Sequence, residues 1–88
     1  MSYRIELHKR VEKFLRKQDR GFLQRVDTVF TKLSENPLNF RELDIKQLEG
    51  GTDDYRIRVG KYRFIYTIIE NRLVVYIYDG GSRGDIYK

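Results

Sequence analysis

Cysteine and tryptophan are absent from this chain, and histidine, proline and methionine occur once each. Without cysteine there is no disulfide framework and no thiolate metal site, which fits a reducing, cytoplasmic location. With His8 as the lone histidine, neither an all-protein zinc site nor a two-histidine acid/base pair is available. No metal and no cofactor are therefore expected. No apolar run approaches the length of a membrane span, and the N-terminus lacks a signal-peptide pattern. Walker spacing is absent, so there is no phosphate loop of that kind. No linker rich in proline, glycine or serine divides the chain, and residues 1–88 read as a single domain.

What is present is charge and aromatic surface. Charged residues make up 35% and aromatics 14% of 88 residues, and the formal net charge is +5. The excess of cations favours an anionic partner, either nucleic acid or an acidic protein.

The most informative stretch runs from Asp54 to Ile69. Two alternating runs flank Gly60-Lys61, and glycine first in a two-residue loop suits a type II′ hairpin turn. That turn sets Val59 opposite Tyr62, Arg58 opposite Arg63, Ile57 opposite Phe64, Arg56 opposite Ile65 and Tyr55 opposite Tyr66. Because side chains alternate between faces, Tyr55, Ile57, Val59, Tyr62, Phe64 and Tyr66 share the core side. Arg56, Arg58 and Arg63 share the other. Like charges opposite each other destabilise a ladder, so a pairing chosen for stability alone would put a carboxylate in place of one of them. Either a bound anion completes the arrangement or the arginines are simply solvated and splayed.

The remaining elements follow from periodicity. Tyr3, Ile5 and Leu7 alternate as a first strand that needs a partner from later in the chain. Residues 8–18 carry a helical stripe of Val11, Phe14, Leu15 and Gln18, with His8 as a weak cap. Asp19 can cap a second helix bearing Phe22, Leu23, Val26, Val29, Phe30 and Leu33, ended by Asn36-Pro37. Residues 37–53 are expected to be connector, with Leu43, Ile45 and Leu48 tucked against the core. A second tight turn near Asn71 leads to a strand from Leu73 to Tyr78. There Leu73, Val75 and Ile77 join the core face, and Val74, Tyr76 and Tyr78 the arginine face. Lys61, Tyr76 and Tyr78 are candidate RNA-binding residues, since interleaved aromatics and cations hold bases and phosphates; the alternative is that the tyrosines merely cover the sheet. The glycines of the tail, residues 79–88, permit a sharp turn that would return Arg83 and Tyr87 toward the sheet. The whole reads as an α+β fold of order β-α-α-β-β-β, a helical hairpin packed on one face of a small, mainly antiparallel sheet.

Several of these runs resemble one family. Leu48-Glu49-Gly50, the hairpin from Tyr55 through Gly60-Lys61 to Arg63, Ile65-Tyr66, Gly81-Ser82-Arg83 and Asp85-Ile86-Tyr87 are together similar to the RelE/ParE superfamily of toxins from toxin–antitoxin pairs. The resemblance covers the whole chain. Its RelE-like branch implies a ribosome-dependent endoribonuclease that cuts mRNA in the A site, and a small acidic RelB-like antitoxin as partner. The positions matching the family's functional residues are Arg56, Arg58, Arg63, Arg83 and Tyr87. Relatives often carry lysine at the first two, and arginine cannot serve there as a general base. Tyr87 is then the candidate base, with the arginines stabilising charge on the phosphorane. A ParE-like inhibitor of DNA gyrase, without nuclease activity, is the alternative in the same superfamily. A plain RNA-binding or decayed member is a third.

Overall fold

The computed structural model describes residues 2–49 and 53–82. The chain opens with strand β1 (Arg4–Leu7), followed by helix α1 (Lys9–Arg16). His8 is the cap of α1: its Nδ1 accepts from the Arg10 backbone N–H at 3.0 Å. Helix α2 (Arg20–Glu35) starts at Asp19, whose Oδ1 accepts from the Phe22 N–H at 2.8 Å. It stops at Asn36, ahead of Pro37, which cannot continue a helix. The expected stripes face inward: Val11 of α1 and Val26, Phe30 and Leu33 of α2 are buried.

Four strands follow: β2 (Asp44–Gln47), β3 (Asp54–Val59), β4 (Tyr62–Ile69) and β5 (Val74–Ser82). The five strands form one sheet in the order β1-β5-β4-β3-β2. All neighbours are antiparallel except β1 and β5, which run parallel. The expected α+β class, with a helical hairpin on a mainly antiparallel sheet, is thus observed. The core lies between the helices and one sheet face, where Tyr55, Ile57, Val59, Phe64, Tyr66, Val75 and Ile77 are buried. Phe14 and Phe30 meet the Phe64 ring edge-on at 5.9 and 5.3 Å, and Phe14 and Phe22 meet Tyr62 at 5.0 and 5.1 Å. Such edge-to-face contacts suit the positive rim and negative face of aromatic rings.

The β3–β4 hairpin has the register read from the sequence, from Val59↔Tyr62 to Tyr55↔Tyr66. Gly60 takes a φ of +62° and Lys61 has no positive φ, the pattern of a type II′ turn. At the second turn a 3-10 segment (Glu70–Arg72) ends in Leu73 at φ 53°, so β5 begins at Val74 rather than Leu73.

Two expectations are corrected. The connector contains a strand: Asp44–Gln47 pairs antiparallel with β3, and Ile45 is buried. Its alternation is only four residues long and carries Asp, Lys and Gln, which are poor in β-propensity but suit an edge that must not recruit another chain. The start of the tail is also strand. Asp79, Gly80, Gly81 and Ser82 continue β5 along β4, without a sharp turn at the glycines.

Candidate nucleic-acid interface

The sheet face away from the helices carries the charged residues. Three cross-strand rows define it. Across β2, β3, β4 and β5 the first row is Asp44–Arg58–Arg63–Gly81, and the second is Lys46–Arg56–Ile65–Asp79. The third, Asp54–Thr67–Tyr76–Glu6, runs from β3 across β4 and β5 to β1. A bulge adjusts these rows. Tyr66 pairs with Ile77 but Ile65 pairs with Asp79, so Tyr78 has no residue opposite it. One extra residue on β5 sets Gly81 rather than Gly80 opposite Arg63, and Gly80 opposite Phe64, while the Asp79 carboxylate lies 4.0 Å from Arg10 of α1.

The three hairpin arginines share this face but not one environment. Arg56 is buried, and its Nη2 donates to Asp44 Oδ1 at 3.1 Å. Its Nε is buried with no hydrogen-bond partner among the described residues. Arg58 is exposed, with Nε 3.4 Å from Asp44 Oδ2. Arg63 is half-buried and has no carboxylate or hydrogen-bond partner among the described residues. Its β5 neighbour is Gly81, where an added Cβ would meet nothing within 4 Å. Arg63 therefore stands with a repelling cation on one side and no side chain on the other.

The two tyrosines lie together on this face, with ring centroids 6.1 Å apart. The Tyr78 hydroxyl lies near the Asp54 carboxylate on β3, so the ring reaches across β4. Burial, then the hydrogen bond and charge of Asp54, push this hydroxyl up to about 12. Tyr78 helps cover the sheet, as Tyr76 does beside it. Lys61 is elsewhere: it projects from the hairpin tip, with Nζ 5.5 Å from the Tyr62 ring centroid. Arg83 and Tyr87 lie outside the described residues.

Sequence reasoning missed Asp44, the carboxylate that spans Arg56 and Arg58. A signal was available. The like-charge pair Arg58–Arg63 called for a carboxylate beside it, and Leu43-Asp44-Ile45-Lys46 alternates like the strand that supplies it.

Chemically, the face offers an exposed and a half-buried guanidinium in one row. Forked N–H donors on a rigid sheet suit phosphate oxygens. No helix among the described residues is long and apolar enough to cross a membrane.

Comparison with known proteins agrees with the fold. The family model of the ParE toxin of the type II toxin–antitoxin system parDE matches residues 5–87. The RelE1 protein of Methanocaldococcus jannaschii is 32% identical over 88 residues, covering 100% of this chain and 98% of that protein. The archaeal RelE–RelB complex from Pyrococcus horikoshii OT3 superposes with a TM-score of 0.84 at 32% identity, over 97% of this chain and 99% of that one. The RelBE2 toxin–antitoxin complex from Mycobacterium tuberculosis gives 0.76 at 25% identity, over 94% and 100% of the two chains.

Proposed function

Since this chain belongs to the ParE toxin family of type II toxin–antitoxin systems, within the RelE/ParE superfamily, we propose that it is a RelE-like endoribonuclease acting on mRNA in the ribosomal A site. The observation that carries this reading is Arg63: a guanidinium without a described counter-ion, beside Arg58 and next to a side-chain-free position. A gyrase poison has no need of arginines arranged in this way. The similarity to RelE proteins, at 32% identity in two cases, supports the same branch.

In the proposed reaction the substrate's own 2′-OH attacks the adjacent phosphorus and the bond to the 5′-oxygen breaks. The 2′ proton goes to a base, the 5′-oxygen takes up a proton, and a cyclic 2′,3′-phosphate is left. Arg63 and Arg58 bind the non-bridging oxygens and neutralise the charge that grows on the phosphorane. Arg56 is buried against Asp44, so its part is to hold the row in place. Arg83 is assigned a further phosphate contact and Tyr87 the base. Tyr76 and Tyr78 supply flat surface for bases, and Lys61 attraction at the hairpin tip. The ribosome orients the message, which lets so few protein groups suffice. On this reading the protein acts in the cytoplasm and has a small acidic RelB-like antitoxin as its partner, which the likeness to a RelE–RelB complex supports.

The test is single-turnover cleavage of ribosome-bound message by the purified protein, with mRNA ends mapped with and without ribosomes. Arg63→Ala is expected to slow cleavage by about two decades or more, as for loss of a transition-state charge donor. Tyr87→Phe should also slow it. Unchanged cleavage in Arg63→Ala would remove the assignment. Inhibition of gyrase supercoiling with message left intact would favour the alternative, a ParE-like gyrase inhibitor without nuclease activity.

A further inference from the structure

Asp44 is held unequally by its two arginines. On one side it meets Arg56 at 3.1 Å, a side chain only 9% exposed. On the other it meets Arg58 at 3.4 Å, where the two side chains are 47% and 53% exposed. Losing the first contact strands a buried cation, which is costly. Losing the second breaks a surface ion pair, which is worth little. The contact to Arg58 is therefore the one that can exchange. It uses Arg58 Nε, one of the donors with which that guanidinium would otherwise grip a phosphate.

We infer that Asp44 is a resident anion that competes with a substrate phosphodiester for Arg58. Arg63 receives the phosphate first, because no described carboxylate opposes it. Arg58 joins only when it changes partners, while Asp44 stays on Arg56. The carboxylate thus makes Asp44 a specificity-determining residue. It lowers the affinity of the face for stray polyanions and reserves the two-arginine grip for a phosphate already seated beside Arg63. The same exchange relieves the Arg58–Arg63 repulsion, since a doubly held phosphate lies between the two cations. The inference rests on reading this face as a phosphodiester site.

Titration with inorganic phosphate, followed through the arginine Nε–Hε resonances, tests it without any nuclease assay. In the unaltered protein Arg63 should respond at lower phosphate than Arg58, and the Asp44 carboxyl-carbon resonance should move with Arg58. Asp44→Asn keeps an oxygen for Arg56 but removes the competing charge. It should lower the Arg58 midpoint about two- to five-fold, the range a surface ion pair is worth, and move Arg63 less. Asp44→Asn/Arg56→Met removes the buried cation as well and should show the same Arg58 shift, which guards against loss of fold in the single variant. Simultaneous saturation of both arginines, or an Asp44 resonance indifferent to phosphate, overturns the inference. So does an Arg58 midpoint that Asp44→Asn leaves unchanged, or shifts no more than that of Arg63. A protein that cuts no RNA leaves this exchange to stand or fall on its own resonances. Failure of the exchange leaves the Arg63→Ala cleavage test untouched.

Discussion

Gly80 lies against the ring of Phe64: a Cβ at position 80 would come within 2.6 Å of Phe64 Cδ1 and 2.8 Å of Cε1. The two residues are opposite each other on β5 and β4, and Phe64 is fully buried among Phe14, Phe30 and the sheet. Gly80 is thus a packing requirement of the core.

Gly80→Ala should therefore destabilise the fold by about 1–3 kcal/mol, the usual cost of overpacking. Gly81→Ala is the control, expected within about 0.5 kcal/mol of the parent. Urea unfolding of both variants measures the difference, and equal midpoints would show that the Phe64 ring moves aside freely.

Tyr66 should matter through its hydroxyl as well as its ring. It is fully buried, stacked on Tyr55, and donates to the Pro37 carbonyl at 2.6 Å. Tyr66→Phe leaves that carbonyl without its partner, at a cost of about 1–2 kcal/mol. Hydrogen exchange should then speed up in residues 38–43, the loop that Pro37 introduces.

Alkaline pH gives a signed test. Burial raises Tyr66, and burial with Asp54 raises Tyr78 to about 12, both from an ordinary 10.0. The folded state therefore keeps protons that the unfolded chain releases above pH 10. The stabilisation is complete below that pH and is lost as pH climbs toward the folded values. Denaturation midpoints should fall between about pH 10 and 12, and Tyr78→Phe should make the fall shallower. Absorbance of tyrosinate should show a late-titrating component that Tyr78→Phe removes.

Stability and activity should separate along the arginine face. Asp44→Ala strands the buried Arg56 and should cost about 1–3 kcal/mol, below the full value for a buried pair because Asp44 is half in water. Arg63→Ala breaks no described contact and should leave thermal unfolding within about 0.5 kcal/mol of the parent. A large stability loss in Arg63→Ala would mean that the residue is structural.

The hairpin was readable residue by residue because three signals agreed there: Gly60 for the turn, alternation for the faces, and two long runs to fix the register. The helices were equally legible through Asp19 and the Phe/Leu/Val stripe. β2 was not, since four residues with one buried Ile45 look like a tethered loop until β3 is known to lie beside them. The Ile77–Asp79 bulge was also hidden. Alternation counts residues evenly, whereas the bulge sets Gly80, the residue without a side chain, against the Phe64 ring. The arginines were visible as a group, but which of them meet a described carboxylate depended on Asp44, a residue expected in a connector. Arg83 and Tyr87 lie outside the described residues, so their expected roles rest on the family resemblance.

The parallel pairing of β1 with β5 also sets an order of assembly. Arg4–Leu7 is made first, yet its neighbour is Val74–Ile77. Hairpins can close as they emerge, but this contact spans nearly the whole chain and must wait for its far end. Until residues 74–82 exist, β1 has no ladder to join, Phe64 has no Gly80 opposite it, and the Arg58–Arg63 row ends in open edge. A growing chain therefore gains its helices early and its complete arginine face last, so that a chain cut short before β5 would carry the charges of this face without the geometry.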